Sequence, residues 1–293
     1  MGATRSTLSD GRSHFQHGPI DLIIGADGEP DAIARATERT WERFREVLPE
    51  LVGELVLLRR PVRDPIAFQG RIAQRMFGAC WPHRLEFITP MAAVAGAVAD
   101  ELIGCFKEES GIYRAYINNG GDIALHLKAG QSYRIGLFAD LAKFGGRMVE
   151  PVGLDGKFEI SAALPVRGVA TSGWRGRSFS LGIADSVTVF GATAAVADAA
   201  ATMIANRVTS DHPAVVRAPA CSLKDDTDLG DLPVTVDVGL LPSDVVQEAL
   251  EQGAWQANCL LGSSLIFGAV LTLQGQTRAL GLQEMSRRML TTV

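Results

Sequence analysis

Helical and strand periods follow one another in blocks along this chain. Over residues 31–48, Ile33, Ala36, Thr40, Phe44 and Leu48 fall on one stripe, with Glu and Arg between them, the period of an amphipathic helix. Ahead of it, "PIDLIIGADG" (19–28) reads as a strand closed by an Asp27-Gly28 turn. A second helix is expected from Asp64-Pro65, an N-cap residue followed by proline, with Phe68, Ile72 and Met76 facing inward. Thr89-Pro90 repeats the signal before "MAAVAGAVADELIGCF". The period then shortens. "GIYRAYINNGGDIALHL" (111–127) reads as two strands around an Asn-Gly-Gly turn, a hairpin. "QSYRIGLFA" and "KFEISAAL" continue the strand pattern, and "SVTVFG" (186–191) feeds an alanine-rich helix, "VADAAATMIAN" (196–206). "VTVDVG" (234–239) precedes a helix from near Ser243 to Gly253.

Helices, then antiparallel strands, then a strand–helix pair make an α+β fold, an antiparallel sheet packed with helices. Residues 1–17 are expected as a disordered tail and 18–293 as one compact domain. The most apolar stretch, "CLLGSSLIFGAVLTL" (259–273), falls short of the roughly 20 residues that cross a bilayer and reads as buried core. No apolar leader stands at the N-terminus, so the expected location is cytoplasmic, with no membrane partner.

Composition narrows the partners. Apolar residues are 47% of the 293, enough for a sizeable core, and aromatics are only 6%, so small residues do much of the packing. The formal net charge is −5. Arg59, Arg60 and Arg63 cluster, as do Arg287 and Arg288, but both runs are brief, which argues against nucleic acid. The cysteines, Cys80, Cys105, Cys221 and Cys259, lie far apart without a C-x-x-C pair and read as reduced, mostly buried thiols. The acidic stretch "KDDTDLGD" (224–231) reads as a surface loop, its spacing wrong for a calcium-binding loop.

Four stretches offer chemistry. Asp198 and Thr202, four positions apart on the alanine helix, present a carboxylate and a hydroxyl on one face. They suit a magnesium ion completed by substrate phosphates, or equally a first-turn acid and a threonine bonded back to its own helix. The glycines of "INNGGD" (117–122) allow positive φ and close backbone approach, fit for an anion or for a plain hairpin. "ATSGWRG" (170–176) offers Thr171 and Ser172 as hydrogen-bonding groups to a ligand or to the loop itself; no histidine stands in a triad-like context. "TPMAAVAGAVADE" (89–101) places small residues over a helix N-terminus, suited to a flat ring, a phosphate or another helix, with Asp100 and Glu101 read as solvated.

Taken in order, "GAVAD" (96–100), "NGGD" (119–122), "YRIGL" (133–137), "TSG" (171–173) and "SVTV" followed by "ADAAAT" (186–202) resemble the ApbE family of flavin transferases. A likeness running from about residue 15 to the C-terminus is to a smaller family described as ApbE-like. The resemblance implies binding of FAD with Mg2+ and transfer of FMN to a serine or threonine of an acceptor protein, releasing AMP. It implies Asp198, Thr202 and the backbone carbonyl at Ala95 as metal ligands. Met91, Asn119, Gly120, Gly121, Asp122, Thr171, Ser172 and Gly173 would line the flavin nucleotide. FAD hydrolysis to FMN and AMP, a non-catalytic flavin-binding module and an enzyme on another phosphorylated cofactor, such as a pterin intermediate, stand as alternatives, and a homodimer as a further partner. The chain departs from the transferases in two places. Their His-x-x-Asp-Pro stretch is replaced by "WRGRSFSLGIAD" (174–185), and the lysine often found before the "GAVAD" glycine is Ala95.

Overall fold

The computed structural model describes residues 2–137 and 156–282. Arg287, Arg288 and the end of "QSYRIGLFA" lie outside the described residues. In chain order, strands β1 (Thr4–Thr7), β2 (Ser13–His17) and β3 (Ile20–Gly28) lead into α1 (Pro30–Gly53), α2 (Leu55–Leu58) and α3 (Arg71–Cys80). Two short 3-10 turns, Trp81–His83 and Pro90–Ala93, precede α4 (Val94–Leu102) and α5 (Gly104–Lys107). Then come β4 (Ile112–Asn119), β5 (Asp122–Leu127), β6 (Ser132–Leu137), β7 (Gly156–Ser161), β8 (Gly168–Ser172) and β9 (Ser186–Gly191). After α6 (Ala194–Arg207) follow β10 (Val215–Pro219), α7 (Ala220–Leu223), β11 (Pro233–Val238), α8 (Ser243–Gly262), β12 (Gly268–Leu273) and β13 (Gln276–Leu280). The fold is α+β, as the order of periods implies.

The chain sorts into two compact units, so the expected 18–293 domain is divided between them. The first holds residues 1–132, 161–170 and 191–199. In it β1 to β5 pair in sequence, each antiparallel to the next, and β5 continues onto β8. Residues 1–17 are therefore no loose tail. β2 lies on β3 with Phe15 opposite Leu22, and Phe15 packs edge-on against Trp41 and beside Phe44 of α1. One buried aromatic per strand is enough to order it, a signal that a five-residue strand among polar neighbours hides. The buried line of α1 is Ala32, Ala36, Thr40, Phe44, Val47 and Leu51. Buried Thr40 satisfies its hydroxyl on the Ala36 carbonyl at 2.7 Å.

Two helix boundaries differ from the sequence expectation. α1 continues through Pro49 to Gly53, because its last turns serve α3. The second helix begins at Arg71 rather than Asp64, with Gly70 as its N-cap residue. The carboxylate of Glu54 takes the amides of Gln69 and Gly70 at 2.9 and 2.8 Å. A remote acid in place of a local cap thus moves the start by two turns, while Phe68 stays buried from the preceding loop.

The same device joins α4 and α6. The N-cap residue of α4 is Ala93, which has no side-chain acceptor, and before α6 the Thr193 hydroxyl accepts only the Val196 amide, at 3.3 Å. Instead Asp100 of α4 accepts the Ala194 and Ala195 amides of α6 at 3.0 and 2.8 Å. In return Asp198 of α6 accepts the Gly96 amide of α4 at 3.0 Å. Each helix caps the other. The exchange needs the backbones close, and Gly96 provides this: a Cβ there would collide with the Ala194 carbonyl.

The second unit holds residues 133–160, 171–190 and 200–293. In it β9, β12 and β13 form an antiparallel run, β6 pairs with β7, and β10 pairs with β11. α8 runs to Gly262, beyond the expected stop at Gly253. Gly253 is no helix end, since its bare backbone lies against Val208 and Leu271. The apolar stretch 259–273 is accordingly split between the last turn of α8 and the buried strand β12. Cys80 is buried, Cys105 half-buried, and Cys221 and Cys259 are exposed, all as free thiols.

Two outcomes follow from the paired caps. Gly96→Ala should cost about 2–3 kcal/mol through forced separation of α4 and α6, read as a lower urea midpoint. Asp100→Ala strands two amides and should cost about 1–3 kcal/mol, whereas Asp100→Asn, which keeps an acceptor oxygen, should cost less in the same titration.

Candidate functional site

α6 is buried almost all round. Ala194, Ala195, Ala197, Ala199, Ala200, Ala201, Ile204 and Ala205 have next to no exposure. Asp198, Thr202 and Asn206 are half-buried, one turn apart, so the helix has a single polar stripe set in alanine. In the first unit that stripe begins at Asp198. Besides the Gly96 amide, the Ala95 amide bonds to its carboxylate. These are the second and third residues of α4, where free amides and the helix dipole favour a negative charge.

The favourable amides do not prevail. The residue keeps some surface, yet desolvation of its carboxyl group is the largest influence and raises its pKa well above the ordinary carboxylate value. The charge of Asp122 pushes the same way, and Asp100 adds a smaller push. Asp122 is itself buried, at the start of β5. A second carboxyl group nearby in a poorly solvated place makes Asp198 hold its proton more tightly than it would alone. The Cys80 thiol is raised as well, by burial and by Asp198. It donates to the Thr89 carbonyl at 3.4 Å and stays a neutral thiol.

The β4–β5 hairpin brings the rest. Asn119 and Asp122 face each other across the turn. Gly120 and Gly121 have φ of 66° and 118°, which a two-residue turn of this hand requires. Asn118 fixes the turn by accepting the Gly121 amide at 2.8 Å. Asn119 is buried and donates its side-chain amide to the Ala95 carbonyl at 3.1 Å. Ala95, Gly96, Asn119, Asp122 and Asp198 thus share one neighbourhood, built by α4, the hairpin and the first turns of α6. Met91 stands half-buried on the 3-10 turn that leads into α4.

Thr202, Thr171, Ser172 and Gly173 belong to the second unit. There the Thr171 and Thr188 hydroxyls bond at 2.9 Å. Among the described residues, no three His, Cys, Asp or Glu side chains gather as a metal cluster, and no helix is long and apolar enough to cross a membrane.

Two acids read as solvated in the sequence are nothing of the kind. Asp100 is the α6 cap. Glu101 is buried and meets Arg43 at 3.2 Å, Arg75 at 3.3 Å and Arg71 at 3.8 Å. The spacing of α4 carries no sign of either, because the partners stand 26 to 95 residues away. The alternating arginines at 71 and 75 are the one local hint for Glu101.

Comparison with known proteins gives the lineage. A family model described as AbpE bacteria matches residues 5–279. A UPF0280 protein of Methanopyrus kandleri is 40% identical over 210 residues, 70% of this chain and 78% of that one. A UPF0280 protein of Methanosphaerula palustris is 38% identical over 138 residues, 47% of this chain and 52% of that one, so the match spans about half its length. Among solved structures, the ApbE protein of Thermotoga maritima superposes with a TM-score of 0.50 at 11% identity, covering 97% of this chain and 98% of that one. At that identity the likeness concerns the fold alone. The extent of the model match and the first relative together decide the family: the chain belongs to the family described as AbpE bacteria.

Proposed function

We propose that this protein processes a flavin nucleotide with magnesium, cleaving FAD to release AMP and passing FMN to an acceptor hydroxyl or to water. The observation that carries the reading is the Asp122–Asp198 pair. The desolvated Asp198 carboxyl group, raised further by Asp122 and standing near the Ala95 carbonyl, marks a place where a hard divalent cation would relieve a charge conflict. The donor set is all oxygen, as magnesium prefers, and its sparseness fits an ion that keeps waters and takes substrate phosphates as further ligands. Asp198 and Ala95 would hold the ion, with Thr202 one turn along α6. Bound there, it supplies neutralisation of the diphosphate.

The chain's own part is positioning. Asn119 holds the Ala95 carbonyl in place, and the Gly96 amide orients Asp198. Gly120 and Gly121 bring backbone to the edge of the site without side chains in the way. Met91 would rest against the ring, and the Thr171–Gly173 strand end would contact the nucleotide. The match to the AbpE bacteria model supports the reading through the sequence resemblance to the ApbE flavin transferases. A location in the cytoplasm and a homodimer are part of the same proposal.

Incubation with FAD and MgCl2 should release AMP and FMN, resolved by chromatography. Asp198→Asn keeps an acceptor for the Gly96 amide and so spares the fold, but should lower AMP release by about 100-fold or more. Wild-type protein that binds FAD without forming AMP would leave a binding module. Unaltered turnover in the variant would remove Asp198 from the chemistry.

A further inference from the structure

Two neighbouring segments of the first unit set exposed arginines beside aliphatic side chains that stand in water. They are the loop from Arg60 to Phe68 and the turn from Trp81 to Glu86. The Val62 amide donates to the Ile88 carbonyl at 2.8 Å, which ties the loop to the chain just after the turn. An aromatic ladder joins the same segments: Phe68 meets Phe77 of α3 at 5.6 Å, and Phe77 meets Trp81 at 5.4 Å. The Arg84 guanidinium stacks over the Trp81 ring at 4.5 Å and donates to the Trp81 carbonyl at 3.1 Å. The turn is tight. The Arg84 and Glu86 amides bond the Trp81 and His83 carbonyls at 3.2 and 3.0 Å, and His83 is buried.

Leu85, on this pinned turn, is 93% exposed. Val56 is 75% exposed and Val52 57%, and with Arg60 they recur every fourth residue through the end of α1 and α2. Arg60, Arg63 and Arg84 are exposed, and among the described residues none of the three forms an ion pair. The loop folds around a cavity of about 540 Å3 whose wall includes Arg60, Arg63 and one carboxylate, Asp64. A scattered exposed leucine is ordinary. One that tops a rigid turn, with unpaired guanidinium groups on both segments around it, is not. From this juxtaposition we infer a docking surface for an anionic phospholipid membrane, touched from one side and not crossed. Leu85 and Val56 enter the acyl boundary, Trp81 sits at headgroup level, and Arg60, Arg63 and Arg84 meet the phosphates. The cavity leaves two guanidinium forks room around one phosphate. A chain of net charge −5 is repelled as a whole by an anionic surface, so a local cationic patch decides which side approaches. A bilayer deforms around isolated aliphatic tips, whereas a folded partner must offer a matching pocket to each. The expectation of no membrane partner rested on the lack of an apolar leader and of a spanning stretch, and surface contact needs neither.

Cosedimentation of the full chain with vesicles tests it, one set of phosphatidylcholine alone and one with an equal part of phosphatidylglycerol. Wild type should bind the anionic set at low salt about tenfold or more tightly than the neutral set, and lose that binding as salt screens the surface. Arg60→Gln with Arg63→Gln should weaken it about 25-fold, about fivefold per charge. Leu85→Ser should weaken it about tenfold, with circular dichroism showing an unchanged fold in each variant. Absence of binding to anionic vesicles at low salt overturns the surface. Wild-type affinity in the double arginine variant overturns it too. Binding that Leu85→Ser leaves intact is diffuse charge attraction and also overturns it. None of these outcomes depends on FAD turnover, so the surface and the proposed function stand or fall separately.

Discussion

The exchange of caps between α4 and α6 is the constraint on which the first unit is arranged. A helix that begins inside a protein must do something with its free amides, since water cannot reach them. Here Asp100 and Asp198 solve the problem reciprocally. The solution fixes the distance between the two helices, their relative position along the axis and the residue at which each starts. It demands a glycine at 96, where the backbone of Ala194 and Ala195 comes close.

Asp198 serves as a cap under this arrangement, and the metal role proposed for it is compatible with that. As a cap it needs one oxygen, and the Gly96 amide takes Oδ2. A cap at the surface would be an ordinary low-pKa carboxylate. Burial, with Asp122 beside it, raises this one instead, so the carboxyl group holds its proton more tightly than a surface cap would. Structural need accounts for the presence of an acid at 198.

The sequence makes the periodic parts legible and hides the parts settled at long range. The α1 stripe, the β4–β5 hairpin, the β9-to-α6 succession and the pairing of Asp198 with Thr202 on one face could all be read from spacing, because each is a local pattern. Phe15, which orders β2, could not, because the gain comes from Trp41 and Phe44 rather than from its neighbours. The start of α3 was misplaced for the same reason: Asp64-Pro65 is a good local start signal, but the Glu54 carboxylate pays for a later one. Gly253 looks like a helix end until Val208 and Leu271 occupy the space its missing side chain leaves. Asp100 and Glu101, polar residues at the end of an apolar helix, take the surface as their default reading, and only the fold supplies α6 and the three arginines.

Asp185 repeats in the second unit what Asp100 and Asp198 do in the first. Each is a carboxyl group drawn out of water and bonded by donors from segments distant in sequence. Such a group is costly to bury and costly to leave unpaired, so every donor it holds is held firmly. In the first unit the donors are helix amides, and the result is a fixed helix pair. In the second they are the Trp174 indole and the Gln274 amide, with the Arg175 guanidinium nearby, and the result is a fixed loop. A chain poor in aromatic residues has few ways to stiffen a loop by packing. Buried acids with remote donors accomplish it here, and they do so where backbone glycines let the partners come close.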